Sequence, residues 1–300
     1  MIRAIFLITL TALIVSNRAN SQKDNLNMSS TENKGAKQDS VSGYVSINGL
    51  KMYYEIHGTG TPLVLIHGGG STIQTSFGRV LHSFANEHQV IAVELQGHGH
   101  TADIDRPETF EQDADDVAAL LKTLKVTHAD FFGFSNGGHT TLEIALRHPH
   151  LVRKMILGSV AYKREGMYPQ LWEFLKPATL KDMPQLLKEA YNRVAPDPND
   201  LIKMFEKDKN RMIEFKGWKA EDIHSINAPA LIIVGDADVV RPEHAVEMFR
   251  LLPHARLSIL PGLHGAYIGE VTTGTEHSTL PGLTVSMIEE FLNEPMPKTN

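Results

Sequence analysis

The 300-residue chain contains no cysteine. That excludes disulfide bonds, thiolate metal sites and a thiol nucleophile, so stability has to come from an apolar core, which a chain of this length can build. Positive charge is also in short supply. Against 35 Asp and Glu there are only 29 Lys and Arg, a net charge of -6. No excess of cations is available to neutralise phosphates, and nucleic acid is not an expected partner. Long apolar runs are missing as well: the most extended, Ala4 to Val15, falls short of the ~20 residues that a membrane-spanning helix needs. Clusters of Cys and His with zinc spacing are absent too.

What that short run does suit is export. It follows a positive start at Met1-Ile2-Arg3, and Ala19-Asn20-Ser21 provides small residues for cleavage before Gln22. Residues 1–21 read as a secretory signal peptide, which makes the mature chain secreted or periplasmic, with no stable membrane anchor once the signal is removed. Losing Arg3 and Arg18 leaves the mature chain two charges more acidic. Residues 22–43, rich in Ser, Asn, Lys, Gln and Asp and without an aromatic side chain, read as a disordered linker. The folded domain is then 44–300.

Within it, Tyr44 to Ile56 alternates around Asn48-Gly49 and predicts a hairpin. Pro62 to His67, Gln89 to Leu95, Phe131 to Phe134, Lys154 to Val160, Ala228 to Gly235 and Arg256 to Leu260 are short apolar runs without alternation, as expected of strands covered on both faces. Helical spacing marks Phe77 to Glu87, Phe110 to Leu124, Pro242 to Leu252 and Leu283 to Leu292. Strands alternating with helices predict an α/β fold with a mostly parallel sheet. Residues 161–224 break the rhythm, with helical periodicity, many large apolar side chains and no strand-like run. They read as a helical cap over the C-terminal edge of the sheet.

The chemistry concentrates where strands end. Gly133-Phe134-Ser135-Asn136-Gly137 joins a strand to a helix and has the GxSxG spacing of a nucleophile elbow, a turn so tight that side chains two residues either side of the serine would collide with it. A serine hydroxyl needs a base and a group to hold that base. Two carboxylates, Asp236 and Asp238, follow the strand that ends at Gly235, and His264 follows the next strand in a Gly-flanked loop. Spacing alone does not separate the two aspartates, since residues two apart in an extended chain point the same way. His277 is a second candidate base. His98, His100 and Asp103 could begin a metal site, but further His and Asp ligands do not follow, and no metal is expected. His148 and His150, near the end of a helix, suit its negative dipole end.

With His67-Gly68, Gly97-His98-Gly99, the GxSxG elbow, the Gly-x-x-Asp strand end and the late histidine in place, the chain from Tyr44 to Leu292 resembles the α/β-hydrolase family. The resemblance implies Ser135 as nucleophile, His264 as general base and acid, and Asp238 as the carboxylate that orients it. It implies an oxyanion hole from the backbone N–H groups of Gly69 and Asn136. Two positions depart from the family pattern: His264 follows Pro261 by three positions where four are usual, and Glu94 stands where the fourth strand usually ends in Asp. The expected activity is hydrolysis of a small-molecule carboxylic ester through an acyl-enzyme, without a cofactor. A lactonase using the same triad and a non-catalytic binding protein on the same fold are the alternatives.

Overall fold

The computed structural model describes residues 40–275 and 277–297. The expected signal peptide lies outside the described residues, as does most of the expected linker. In chain order the elements are β1 (Ser40–Ile47), β2 (Leu50–His57), β3 (Thr61–Ile66), α1 (Ile73–Phe77), α2 (Leu81–Phe84), β4 (His88–Glu94), α3 (Phe110–Thr123), β5 (Ala129–Phe134) and α4 (Asn136–Arg147). There follow β6 (Val152–Gly158), α5 (Pro169–Leu175), α6 (Gln185–Val194), α7 (Leu201–Glu214), α8 (Ala220–His224), β7 (Ala230–Gly235), α9 (Pro242–Leu251), β8 (Ala255–Leu260) and α10 (Leu280–Asn293).

The last four residues of the expected linker, Ser40 to Gly43, belong instead to β1. They pair with Tyr54 to His57 of β2, because β2 runs on past its apolar stretch and offers its backbone groups as partners. Asn48 and Gly49 turn the hairpin, both at positive φ, as a two-residue turn between right-twisted strands requires. The eight strands lie in the order β1-β2-β4-β3-β5-β6-β7-β8. β2 runs antiparallel to both of its neighbours, β1 and β4, and from β4 to β8 every pairing is parallel.

Side chains of the buried strands divide between two faces with the period of two that a pleat imposes. Leu63, Leu65, Phe132, Ile156, Leu231 and Ile233 face one side, with Phe77, Phe84, Ile288 and Phe291 from α1, α2 and α10 packed on them. Val64, Ile66 and Phe131 face the other, under Ala114, Val117, Leu121 and Ile144 of α3 and α4. Each such side chain contributes roughly 1.5–3 kcal/mol when fully buried, so the strands are held by both layers rather than by their ladders alone. α3 shows how local signals agree with this packing: Thr109 caps its first turn by accepting from the Gln112 N–H, and Glu111, Asp113 and Lys122 suit its dipole.

This topology positions the site. From β3 the chain moves to β4 on one side and then returns past β3 to β5, after which it advances the other way. The loops after β3 and β5 therefore diverge and leave a crevice at their C-terminal ends. Residues 161–224, between β6 and β7, carry the helices α5 to α8 and no strand. Their inner side chains face that crevice.

Candidate active site

Ser135 sits between β5 and α4 with φ 55° and ψ -118°, a strained conformation for a residue with a side chain. The neighbouring glycines make the turn possible. A Cβ on Gly133 would strike the carbonyl of Gly137 and the Thr141 hydroxyl, and one on Gly137 would strike the carbonyl of Ile66. The strain lifts the Ser135 hydroxyl clear of the sheet at the N-terminus of α4.

His264 comes from the loop after β8. Its Nε2 lies 3.0 Å from the Ser135 Oγ and its Nδ1 lies 2.7 Å from Oδ1 of Asp238. Asp238 is buried and receives more than the imidazole. Ser159, at φ 54° just after β6, donates to Oδ2 at 2.5 Å, and the Gly235 and Val240 N–H groups donate at 3.2 and 3.3 Å. The Tyr267 hydroxyl in turn lies 2.8 Å from the Ser159 Oγ. Burial would push the Asp238 carboxyl up, but the charge of His264 and these hydrogen bonds hold it below the ordinary carboxylate range. For His264 burial works downward, and the Asp238 charge and hydrogen bond outweigh it, so its pKa lies above 6.5.

Asp236 turns elsewhere: its Oδ1 accepts the Gly262 N–H at 2.8 Å, tying the end of β7 to the loop that carries His264. That tie accompanies the short Pro261-to-His264 spacing. His277 is exposed before α10, and it is His264 that reaches Ser135. The side chains of Ser159 and Tyr267 were missed by sequence reasoning. Ser159 carried a usable signal, since it is the first polar residue beyond the apolar run of β6, at the strand ends where ligands gather. Tyr267 carried none.

Gly69 and Asn136 face the same crevice, and among the described residues neither of their backbone N–H groups donates a hydrogen bond within the chain. The Gly69 loop is braced from below. His67 is buried, its Nδ1 at 2.8 Å from the Gly68 carbonyl and its Nε2 accepting the Leu95 N–H at 3.1 Å. Burial lowers its pKa to about 4, so the ring is neutral and can serve as both donor and acceptor.

The histidines weighed as a metal site are otherwise engaged. His100 Nδ1 lies 2.8 Å from the buried Glu94 carboxylate, which also accepts the His100 and Ile73 N–H groups. Glu94, in place of the family's usual Asp, thus organises the Gly97–His100 turn. His98 points toward Gly70 and Asp208, and Asp103 binds Lys207 at 2.7 Å. No group of His, Cys, Asp and Glu suited to a metal occurs among the described residues. His148 caps the end of α4 and pairs with Asp115 at 2.7 Å, a carboxylate partner that spacing did not indicate.

Over Ser135 and His264 lies a cavity of about 260 Å³. Its walls include Met167, Leu171, Phe174, Met183, Leu187 and Met204 from the 161–224 segment. The hydroxyl, the imidazole and two free N–H groups therefore open into an apolar space. A base aligned on a hydroxyl, a carboxylate aligned on the base, and N–H donors beside both can carry a nucleophilic attack on a carbonyl.

Comparisons with known proteins agree with the fold. Residues 61–202 match a family model described as the alpha/beta hydrolase fold. The chain is 28% identical to the serine hydrolase BPHL of Homo sapiens over 245 residues, which cover 76% of this chain and 81% of that protein. A solved serine hydrolase involved in carbazole degradation superposes with a TM-score of 0.68 at 24% identity, covering 85% of this chain and 99% of that one. The enol-lactonase from Burkholderia xenovorans LB400 superposes with a TM-score of 0.64 at 22% identity over 84% of this chain and all of its own, 100%. By its family-model match over residues 61–202, its eight-stranded sheet and its superposition on solved hydrolases, the chain has the α/β-hydrolase fold.

Proposed function

We propose that the protein is a serine hydrolase that cleaves carboxylic esters through an acyl-enzyme. The observation that carries this reading is the aligned row of Ser135 Oγ, His264 Nε2, His264 Nδ1 and Asp238 Oδ1, with contacts of 3.0 and 2.7 Å. In this mechanism His264 takes the Ser135 proton as the oxygen attacks the ester carbonyl. The oxyanion that forms accepts from the N–H groups of Gly69 and Asn136. His264 then donates its proton to the leaving alkoxide and afterwards activates water, which releases the acid and restores Ser135. Asp238 stays ionised throughout and keeps the imidazole in the working tautomer. None of these steps calls for a cofactor.

The apolar walls over Ser135 support a small, uncharged substrate whose acyl part is hydrocarbon. Ring opening of a lactone uses the same steps, and one structural neighbour described as an enol-lactonase keeps that second reading in play. Export to the periplasm or the medium remains our reading of residues 1–21.

The test is labelling by a fluorophosphonate probe alongside turnover of p-nitrophenyl esters and simple lactones. Wild type is expected to label and Ser135→Ala to lose both labelling and turnover by roughly a thousandfold or more. Faster turnover of lactones than of open esters would move the assignment to lactonase. A folded wild type that neither labels nor turns over would instead identify a binding protein.

A further inference from the structure

One buried carboxylate that lines the cavity with Ser135 and His264, Asp208, comes from the 161–224 segment. Helix α7 carries Asp208 and Arg211, both buried. Arg211 donates to the Asp208 carboxylate and, at 2.6 Å, to Asp113 of α3. Burial would push the Asp208 carboxyl up, but the guanidinium holds it ionised, well below the usual range. A buried ion pair of this kind contributes little net stability, because desolvation offsets the attraction. Its position is what calls for an explanation.

Asp208 meets both walls of the oxyanion hole. Its Oδ1 accepts from the Asn136 side-chain amide at 2.8 Å, and Asn136 is the residue whose backbone N–H follows the nucleophile. Its Oδ2 lies 3.5 Å from the Nε2 of His98, a ring whose protonated form Asp208 favours and which stands 3.2 Å from the Gly70 nitrogen. Gly69 lies between: a Cβ there would come within 2.5 Å of both the Asn136 amide nitrogen and the Asp208 Oδ2. The loop after β3 and the start of α4 are thus pressed together by one carboxylate from a third element.

We infer that Asp208 is a positioning residue that sets the spacing of the oxyanion hole by holding the Asn136 side chain against the Gly69–Gly70 loop. The inference rests on the serine-hydrolase reading. Two N–H groups serve an oxyanion only when both stand at hydrogen-bond distance from one point, and displacing one by about 1 Å can cost on the order of 10²-fold in rate. The 161–224 segment then supplies a part of the catalytic geometry as well as walls for the substrate. The hole is complete only with α7 docked.

The experiment uses three variants of the full mature chain: Asn136→Ala, the paired Asp208→Ala/Arg211→Met, and the triple combination. The paired change removes Asp208 together with the guanidinium that compensates it, and it leaves the buried Asp113 without Arg211. Asn136→Ala leaves the ion pair intact and keeps the backbone N–H, so it tests the contact even if the paired variant does not fold. Expected in both is a fall in kcat of roughly 10- to 100-fold, with KM within about threefold of wild type. Affinity for a trifluoromethyl ketone, which mimics the tetrahedral oxyanion, should fall in step with kcat/KM. The triple variant should be little worse than the poorer of its parents, because all three interrupt one contact.

A folded Asn136→Ala enzyme with full kcat and unchanged ketone affinity would overturn the inference. So would a loss expressed wholly in KM, which would make the contact part of the substrate wall. Failure of the underlying reading looks different: wild type itself would not react with a fluorophosphonate.

Discussion

At the scale of single residues, protonation governs the outcome. The base must be neutral to take the Ser135 proton, and Asp238 raises the His264 pKa above 6.5. The acid limb of kcat/KM should therefore have its midpoint above pH 6.5, with activity rising as pH rises through it. A pH–rate profile over about pH 5–9 reads this directly: a midpoint below the ordinary histidine value would contradict the upward shift, and a flat profile would contradict His264 as the base. Ser159 offers a second prediction. Removing its hydroxyl takes one charged hydrogen bond from Asp238 and leaves the buried Tyr267 hydroxyl without its partner. Ser159→Ala should cost about 1.5–3 kcal/mol of stability by chemical denaturation, and kcat should drop through the loosened Asp238. Ser135 and His264 are legible in the sequence because each sits at a strand end in a residue pattern that the proposed chemistry requires, whereas only the family resemblance separates Asp238 from Asp236. Asp208 is not legible there, since it is one acidic residue among many on a charged helix and only the docking of α7 brings it to Asn136.

Elements were read more evenly than their boundaries. The buried strands and the long helices α3, α9 and α10 were visible because apolar periodicity over several turns leaves little choice. The single helix expected over Phe77 to Glu87 is instead two short ones, α1 and α2. Gly78 ends the first: its φ of -52° stays near helical values, but a Cβ there would clash with the Gln74 carbonyl, so the chain turns tightly and restarts at Leu81. Helix α10 shows a tertiary contact that no local pattern could signal. The ammonium of Lys154, a buried side chain on β6, donates to the carbonyls of Phe291, Leu292 and Glu294 at 2.8, 3.0 and 2.5 Å. These are among the carbonyls that a helix leaves unpaired at its end. Lys154→Met should therefore cost about 1–3 kcal/mol in a denaturation experiment, while kcat per folded molecule stays at the wild-type value. A stability change near zero would mean that water replaces the ammonium at no cost.

On the scale of the whole molecule, the sheet order and its crevice account for where the site is. Local propensity could not supply that order, because pairing between β3 and β5 depends on a crossover spanning β4 and α3. The proposed signal peptide makes a separate prediction. When the 300-residue chain is produced in a bacterium with a secretory pathway, intact-mass measurement of the exported protein should give an N-terminus at Gln22, and cytoplasmic retention at full length would refute export. Within the domain the proposed triad draws on three strands, with Ser135 after β5, Asp238 after β7 and His264 after β8. β8 lies three strand spacings from β5, about 14 Å, yet the imidazole touches the hydroxyl. The loop after β8 must therefore reach back over the ends of β7 and β6 like a beam fixed at one end. Its props are Asp236 at Gly262, Asp238 at His264, and the Phe134 ring, whose centroid lies 4.9 Å from the imidazole. The imidazole end of such a beam is only as steady as these supports, and two of the three, Asp236 and Asp238, follow β7 rather than β8 or the Ser135 strand.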